Sequence, residues 1–169
     1  PFDGNVTFVA ESVSNLVHVD IIKDQGAGFT ASRQHSNREF LASTDSWSRP
    51  VNMYVGPDGA LYVLDYYRQI IEHPEWMSDE AVAEGGLYNG HDMGRIYRIT
   101  PTDAQGPTWT IGLKFGEASS EELVGYLADK NLWWRQNAQR LLVDRADPKS
   151  IPALIQMSEQ TASELGRLH

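Results

Sequence analysis

Residues 50–65, PVNMYVGPDGALYVLD, constrain the fold of this chain more than any other stretch. Two short runs rich in Val, Tyr and Leu, residues 51–55 and 60–65, flank Gly56-Pro57-Asp58-Gly59. Such runs suit half-buried antiparallel strands. Between them Pro57 presets φ, Asp58 can bond its own backbone and Gly59 tolerates a positive φ, which together dictate a tight turn. A further alternating run at residues 94–99, GRIYRI, supplies a third strand. A hairpin followed by a third strand is the core of a β-propeller blade.

The residues before this hairpin also read as strands. Residues 5–10 (NVTFVA) alternate, and residues 16–23 (LVHVDIIK) set Leu, Val, Val and Ile against more polar neighbours. Asp24-Gln25-Gly26 marks a turn, and residues 28–34 (GFTASRQ) form the return strand. Residues 39–43 are an edge strand or a loop. The expectation is about two consecutive blades, a partial propeller. Residues 66–93 form an insertion, long enough to carry structure or function of its own. Within it residues 78–84 (SDEAVAE) have an N-cap serine and early acidic residues, which predicts a short helix.

After Thr100-Pro101 the pattern changes. Residues 101–106 read as a linker, and residues 109–115 (WTIGLKF) as one more strand or a cover for the sheet edge. Ser119-Ser120-Glu121-Glu122 predicts a capping box from Ser119 to Glu122. Leu123, Val124 and Leu127 follow at helical spacing. Residues 132–143 predict a second helix, with Trp134, Ala138, Leu141 and Leu142 on one face. Residues 151–157 begin a third, with Pro152 in the first turn where it is tolerated. Helix, short turn, helix is the rhythm of an α-solenoid. The expected organisation is therefore blades over 1–104, a linker over 105–118 and HEAT-like helices over 119–169, a mainly β chain with an α C-terminal part.

Composition narrows the chemistry. The chain has 169 residues and a net charge of −9, which disfavours nucleic acid and anionic membranes as partners. It has no cysteine, so disulfides, thiolate metal sites, covalent c-type haem and cysteine nucleophiles are excluded within these residues. No apolar run reaches membrane-spanning length. There is no G-x-G-x-x-G and no G-x-S-x-G, so nicotinamide chemistry and serine hydrolysis lack support. The opening Pro-Phe-Asp-Gly, entering a strand at once, reads as a fragment of a longer polypeptide or a processed product.

Three segments carry a resemblance: residues 15–22 (NLVHVDII), residues 40–76 (from FLAST to IIEHPEW) and residues 94–101 (GRIYRITP). Together they resemble the propeller of the membrane-bound dehydrogenases abundant in planctomycetes. Residues 120–154, with DKNLWWRQNAQRLL, resemble the HEAT-like repeats that follow that propeller. The resemblance implies a fragment of a quinoprotein-like sugar or alcohol dehydrogenase, working with pyrroloquinoline quinone and Ca2+ in a periplasmic or extracytoplasmic setting. Haem c has no place in this chain, because the family's CxxCH motif is missing. The alternative is a non-catalytic propeller module that grips a glycan or a protein. Exposed sheet edges would meet the remainder of the propeller or another chain.

Candidate site residues fall in two clusters. In the loop before Pro50, Thr44, Asp45, Trp47 and Arg49 could hold a sugar or a quinone: Arg49 for the anionic groups, Asp45 and Trp47 for the substrate. The alternative is an Arg49–Asp45 salt bridge over Trp47. In the insertion, Asp65, Tyr66, Tyr67, Arg68, Glu72 and His73 form the second cluster. His73 is the candidate base and Arg68 a second cofactor ligand. Asp65, Glu72, His91 and Asp92 are an oxygen-rich set suited to calcium. The alternative pairs Arg68 with Glu72 at i,i+4 and leaves His73 at a helix end or in a loop. His18 faces away from Val17 and Val19, either packed or functional. Trp133 and Trp134 are read as packing residues.

Overall fold

The computed structural model describes residues 5–104 and 114–169. The chain divides into two compact units, Pro1–Tyr54 with Leu61–Pro101 and Val55–Ala60 with Thr102–His169. Among the described residues, no helix is long and apolar enough to cross a membrane.

The first unit contains two antiparallel sheets. In one, β1 (Asn5–Glu11), β2 (Leu16–Gln25) and β3 (Gly28–Arg33) form a meander, and the two-residue β4 (Leu41–Ala42) pairs with the opening of β2. Alternation along β2 buries Val17 and Val19 while His18 stays half-exposed on the other face. Phe8, opposite Val19, meets Phe40 edge to face at 5.0 Å. The second sheet runs β5 (Pro50–Val55), β6 (Leu61–Asp65), β7 (Arg95–Ile99). The hairpin turn forms as its sequence dictates. Gly56 N–H donates to Ala60 O at 2.9 Å, Asp58 accepts from Ala60 N–H, and Gly59 has φ +75°.

This architecture corrects the expectation of propeller blades. Each sheet is three strands across, and β4 continues along the edge of β2 already flanked by β3 rather than adding an outer strand. The described strands close no barrel and repeat no radial unit. The hairpin-plus-strand signal at residues 50–99 is satisfied by one small sheet. Local pairing preference specifies hairpins, and it carries no information about radial repetition.

In the second unit, α2 (Ser120–Tyr126), α3 (Leu132–Arg145) and α4 (Ile151–Gln160) surround Leu123, Leu127 and Ala138, with Leu141, Leu142, Leu154 and Met157 packed around them. A short α5 (Glu164–Leu168) follows; α1 (Asp79–Ala83) belongs to the insertion of the first unit and is capped by Ser78. The Ser119–Glu122 capping box forms, and Asn131 caps α3. The HEAT-like solenoid is also corrected. The helices run 7, 14, 10 and 5 residues; α2, α3 and α4 gather on one core and α5 packs on α4, rather than stacking as equal pairs. Of the expected linker, residues 105–113 lie outside the described residues, as does most of the strand expected at 109–115. Phe115–Glu117 is a single 3-10 turn.

Trp133 and Trp134 pack with Phe115 and Tyr126, with ring centroids between 4.8 and 5.9 Å. The turn Val55–Ala60 belongs to this unit. Trp134 Nε1–H donates to Pro57 O at 3.0 Å and Asn131 Nδ2–H to Gly56 O at 2.8 Å.

Candidate functional site

Asp65 ends β6 and is 3% exposed. Its carboxylate accepts from Arg49 N–H at 2.7 Å, Tyr67 N–H at 3.0 Å, Ser48 Oγ–H at 2.9 Å and Tyr97 Oη–H at 3.4 Å. A buried carboxylate is tolerated when its lone pairs are filled this way. Arg49 is likewise buried. Nε–H donates to Arg68 O, Nη1 to Ser12 O and Val13 O, and Nη2 to Gln69 O, between 2.7 and 3.2 Å. Arg49 thus ties the β1–β2 turn to the start of the insertion. It meets neither Asp45 nor an open anion site.

Asp45 accepts from Trp47 N–H at 3.0 Å and from Tyr67 Oη–H at 2.9 Å, and these bonds hold its carboxyl below the usual range. The same contact, with Asp45 as the main cause, raises the Tyr67 hydroxyl. Tyr67 has φ +51°, and the Arg95 guanidinium lies 4.3 Å over its ring. Trp47 tilts against it at 6.1 Å. The first cluster is therefore a framework around Tyr67. The Asp45 carboxylate and the Arg49 guanidinium bond the protein itself.

The expected metal set does not assemble. Asp65 is filled by four donors. Glu72 accepts from His73 N–H, and His91 Nδ1–H donates to Tyr88 O. Among the described residues, no group of three or more His, Asp or Glu side chains is placed to hold a metal ion. Arg49, expected to meet the quinone's anionic groups, spends its guanidinium on four backbone carbonyls. Residues 66–73 are also non-helical, so the i,i+4 geometry for an Arg68–Glu72 pair is absent. Arg68 instead donates through Nη1 to Tyr66 O, Tyr67 O and Gly90 O, and its guanidinium covers Tyr66 at 4.3 Å.

The insertion does build a cleft. Gln69 N–H donates to Asn89 O and Asn89 Nδ2–H returns to Gln69 Oε1 at 2.7 Å, closing residues 70–88 into a loop. Gly86 lets the strands of the loop approach, since a Cβ there would stand 2.8 Å from Ile70 Cδ1. The cleft has a volume of about 510 Å³. Its walls are Tyr66, Ile70, Ile71, Leu87 and Tyr88; Arg68, Glu72 and His73 supply polar groups. Sequence reasoning singled out Tyr66, Arg68, Glu72 and His73 but missed Ile70, Ile71, Leu87 and Tyr88. The pairing of II at 70–71 with GGLYNG at 85–90 was the available signal. A larger hollow of about 650 Å³ in the second unit has its carboxylates engaged: Glu117 by Lys114, Glu122 in the capping box and Asp129 by Asn131 N–H.

His73 Nδ1 accepts from Glu75 N–H at 3.3 Å, capping the turn Pro74–Trp76. In the neutral ring this contact places the proton on Nε2. His18 lies elsewhere, with Nδ1 on Glu39 Oε2 at 2.7 Å and Nε2 on Asp20 Oδ1 at 2.8 Å.

Residues 2–103 match a family described as a domain of unknown function, DUF7133. The chain belongs to that family. No curated protein and no solved structure matches it.

Proposed function

We propose that the first unit is a binding module for a neutral polyhydroxylated ligand, a sugar or a related alcohol. One observation carries this: the insertion cleft sets exposed aromatic and half-buried aliphatic walls beside His73, whose neutral-ring proton is on Nε2, and the carboxylate of Glu72. Apolar faces with a few fixed polar groups are what a small-molecule site needs. Sugars present both apolar C–H faces and hydroxyls to such a surface. The chain's −9 charge weighs against an anionic ligand. The test is a titration of the isotope-labelled 169-residue chain with glucose, xylose and sorbitol. Shifts at residues 66–74 and 87–88 are expected, and unchanged spectra across the panel reject the proposal.

The sequence resemblance at residues 15–22, 40–76 and 94–101 supports a second reading, an oxidoreductase acting on the same sugars or alcohols. Its cofactor would need residues other than Arg49 and the calcium set. Dye reduction in the presence of added pyrroloquinoline quinone and Ca2+ tests it, and no reduction across the same panel removes it.

A further inference from the structure

The insertion cleft shares a wall with a second hollow. Tyr66 and Arg68 line both the 510 Å³ cleft and a neighbouring one of about 340 Å³. The second hollow is walled by Val51, Leu64 and Ile96, with His91 and Arg95 at its polar side. The shared ridge is stiff. Arg68 Nη1 is held by three carbonyls and its guanidinium is stacked on Tyr66. Resting on the sugar-binding reading, we infer that the site takes a linear chain of linked sugar units, laid across the Tyr66–Arg68 ridge with units in both hollows.

The two hollows offer complementary polar groups. His73, which lines the larger one, carries its neutral-ring proton on Nε2, because Nδ1 accepts from Glu75 N–H. His91, which lines the smaller one, sets Nδ1 against the Tyr88 carbonyl, which can only accept, so its neutral ring carries the lone pair on Nε2. A donor on one side of the ridge and an acceptor on the other suit hydroxyls, which do both. Each hollow also has its own apolar wall, so each can take one face of a sugar ring.

The experiment compares glucose, maltotetraose, cellotetraose and xylotetraose on the full chain by calorimetry and by NMR shifts. One tetrasaccharide should bind at least about tenfold tighter than glucose, the gain from roughly one added subsite. Its shifts should extend to residues 51, 64, 91 and 96. Ile96 is 66% and Tyr88 73% exposed, so neither truncation disturbs the core. Ile96→Ala should weaken the tetrasaccharide several-fold and leave glucose unchanged, whereas Tyr88→Ala should weaken both. Tetrasaccharides that bind no tighter than glucose, with shifts confined to residues 66–74 and 87–88, overturn the extended site and leave the sugar-binding reading standing. Silence from every sugar overturns both.

Discussion

The carboxylate of Asp65 accepts the backbone N–H of Arg49 at 2.7 Å, while the Arg49 side chain reaches past it to the carbonyls of Arg68 and Gln69. One residue positions the other's backbone, and the second then fixes the chain that leaves the first. This reciprocal arrangement sets where the insertion departs from β6. Asp65→Ala would leave the Ser48 hydroxyl and the amides of Arg49 and Tyr67 without their acceptor in a buried setting. The loss should be about 3 kcal/mol, and Asp65→Asn should lose less because one acceptor oxygen remains. Urea unfolding of both variants measures it; a change within error for Asp65→Ala would contradict the assignment.

Arg49→Lys separates a structural role from a ligand role. An ammonium group cannot span carbonyls on both the β1–β2 turn and residues 68–69, so about 2 kcal/mol of stability should be lost. Sugar binding per folded molecule should be unchanged. A variant of wild-type stability with lost affinity would return Arg49 to the binding site.

His18 makes stability depend on pH. Its bonds to Glu39 first, and Asp20 second, raise its pKa above the ordinary 6.5. The protonated ring is thus favoured in the folded state. Its contribution is complete below the unfolded value of 6.5 and is lost as pH rises through the higher folded value. Glu39 runs the other way: its pKa is lowered, chiefly by His18 and then Arg33, so its contribution is present above its unfolded value of 4.5 and is lost as pH falls through the folded one. Stability should therefore peak between these limits. His18→Gln should flatten the alkaline side, and denaturation curves from pH 4 to 9, read with an NMR titration of His18, decide the matter. Parallel profiles for the two proteins would refute it.

Gly90 holds φ +85°, and a Cβ there would stand 3.0 Å from both the Tyr67 carbonyl oxygen and its ring. Gly90→Ala should cost about 1–3 kcal/mol from strain alone. It should also loosen Arg68, which donates to the Gly90 carbonyl at 2.9 Å. Thermal unfolding and a weakened sugar titration would report the two effects; wild-type behaviour in both would mean the loop tolerates the methyl.

Trp134→Phe keeps an aromatic ring among Phe115, Tyr126 and Trp133 but removes the N–H donated to Pro57 O. A loss of about 1 kcal/mol is expected. The Gly59 amide, bonded to Gly56 O within the same turn, should exchange faster. Unaltered exchange at Gly59 would show that the indole does not hold the turn.

The local elements were legible because their causes lie within a few residues. The turn at Gly56–Gly59, the Ser119–Glu122 capping box and the alternation that buries Val17 and Val19 around His18 all follow from neighbours in the chain. The site was legible only in part. Arg49 and Asp45 carry the residue types of a ligand site, yet whether a guanidinium faces a ligand or four carbonyls depends on segments far apart in sequence. Tyr66 and Tyr88 show no period that marks them as walls. They become walls when Gln69 and Asn89 close the loop between them.

By itself, then, the amino-acid sequence determined strands, turns, caps and helix starts, since these are set by short-range sterics and hydrogen bonding. Tertiary structure alone decided that the strands make two three-wide sheets rather than a ring of blades, and that α2 to α4 share one core rather than a stack. It also decided which polar groups are consumed and which face solvent. Long-range pairing is chosen by how buried surfaces and unsatisfied polar groups are shared between distant segments, and no local pattern encodes that sharing.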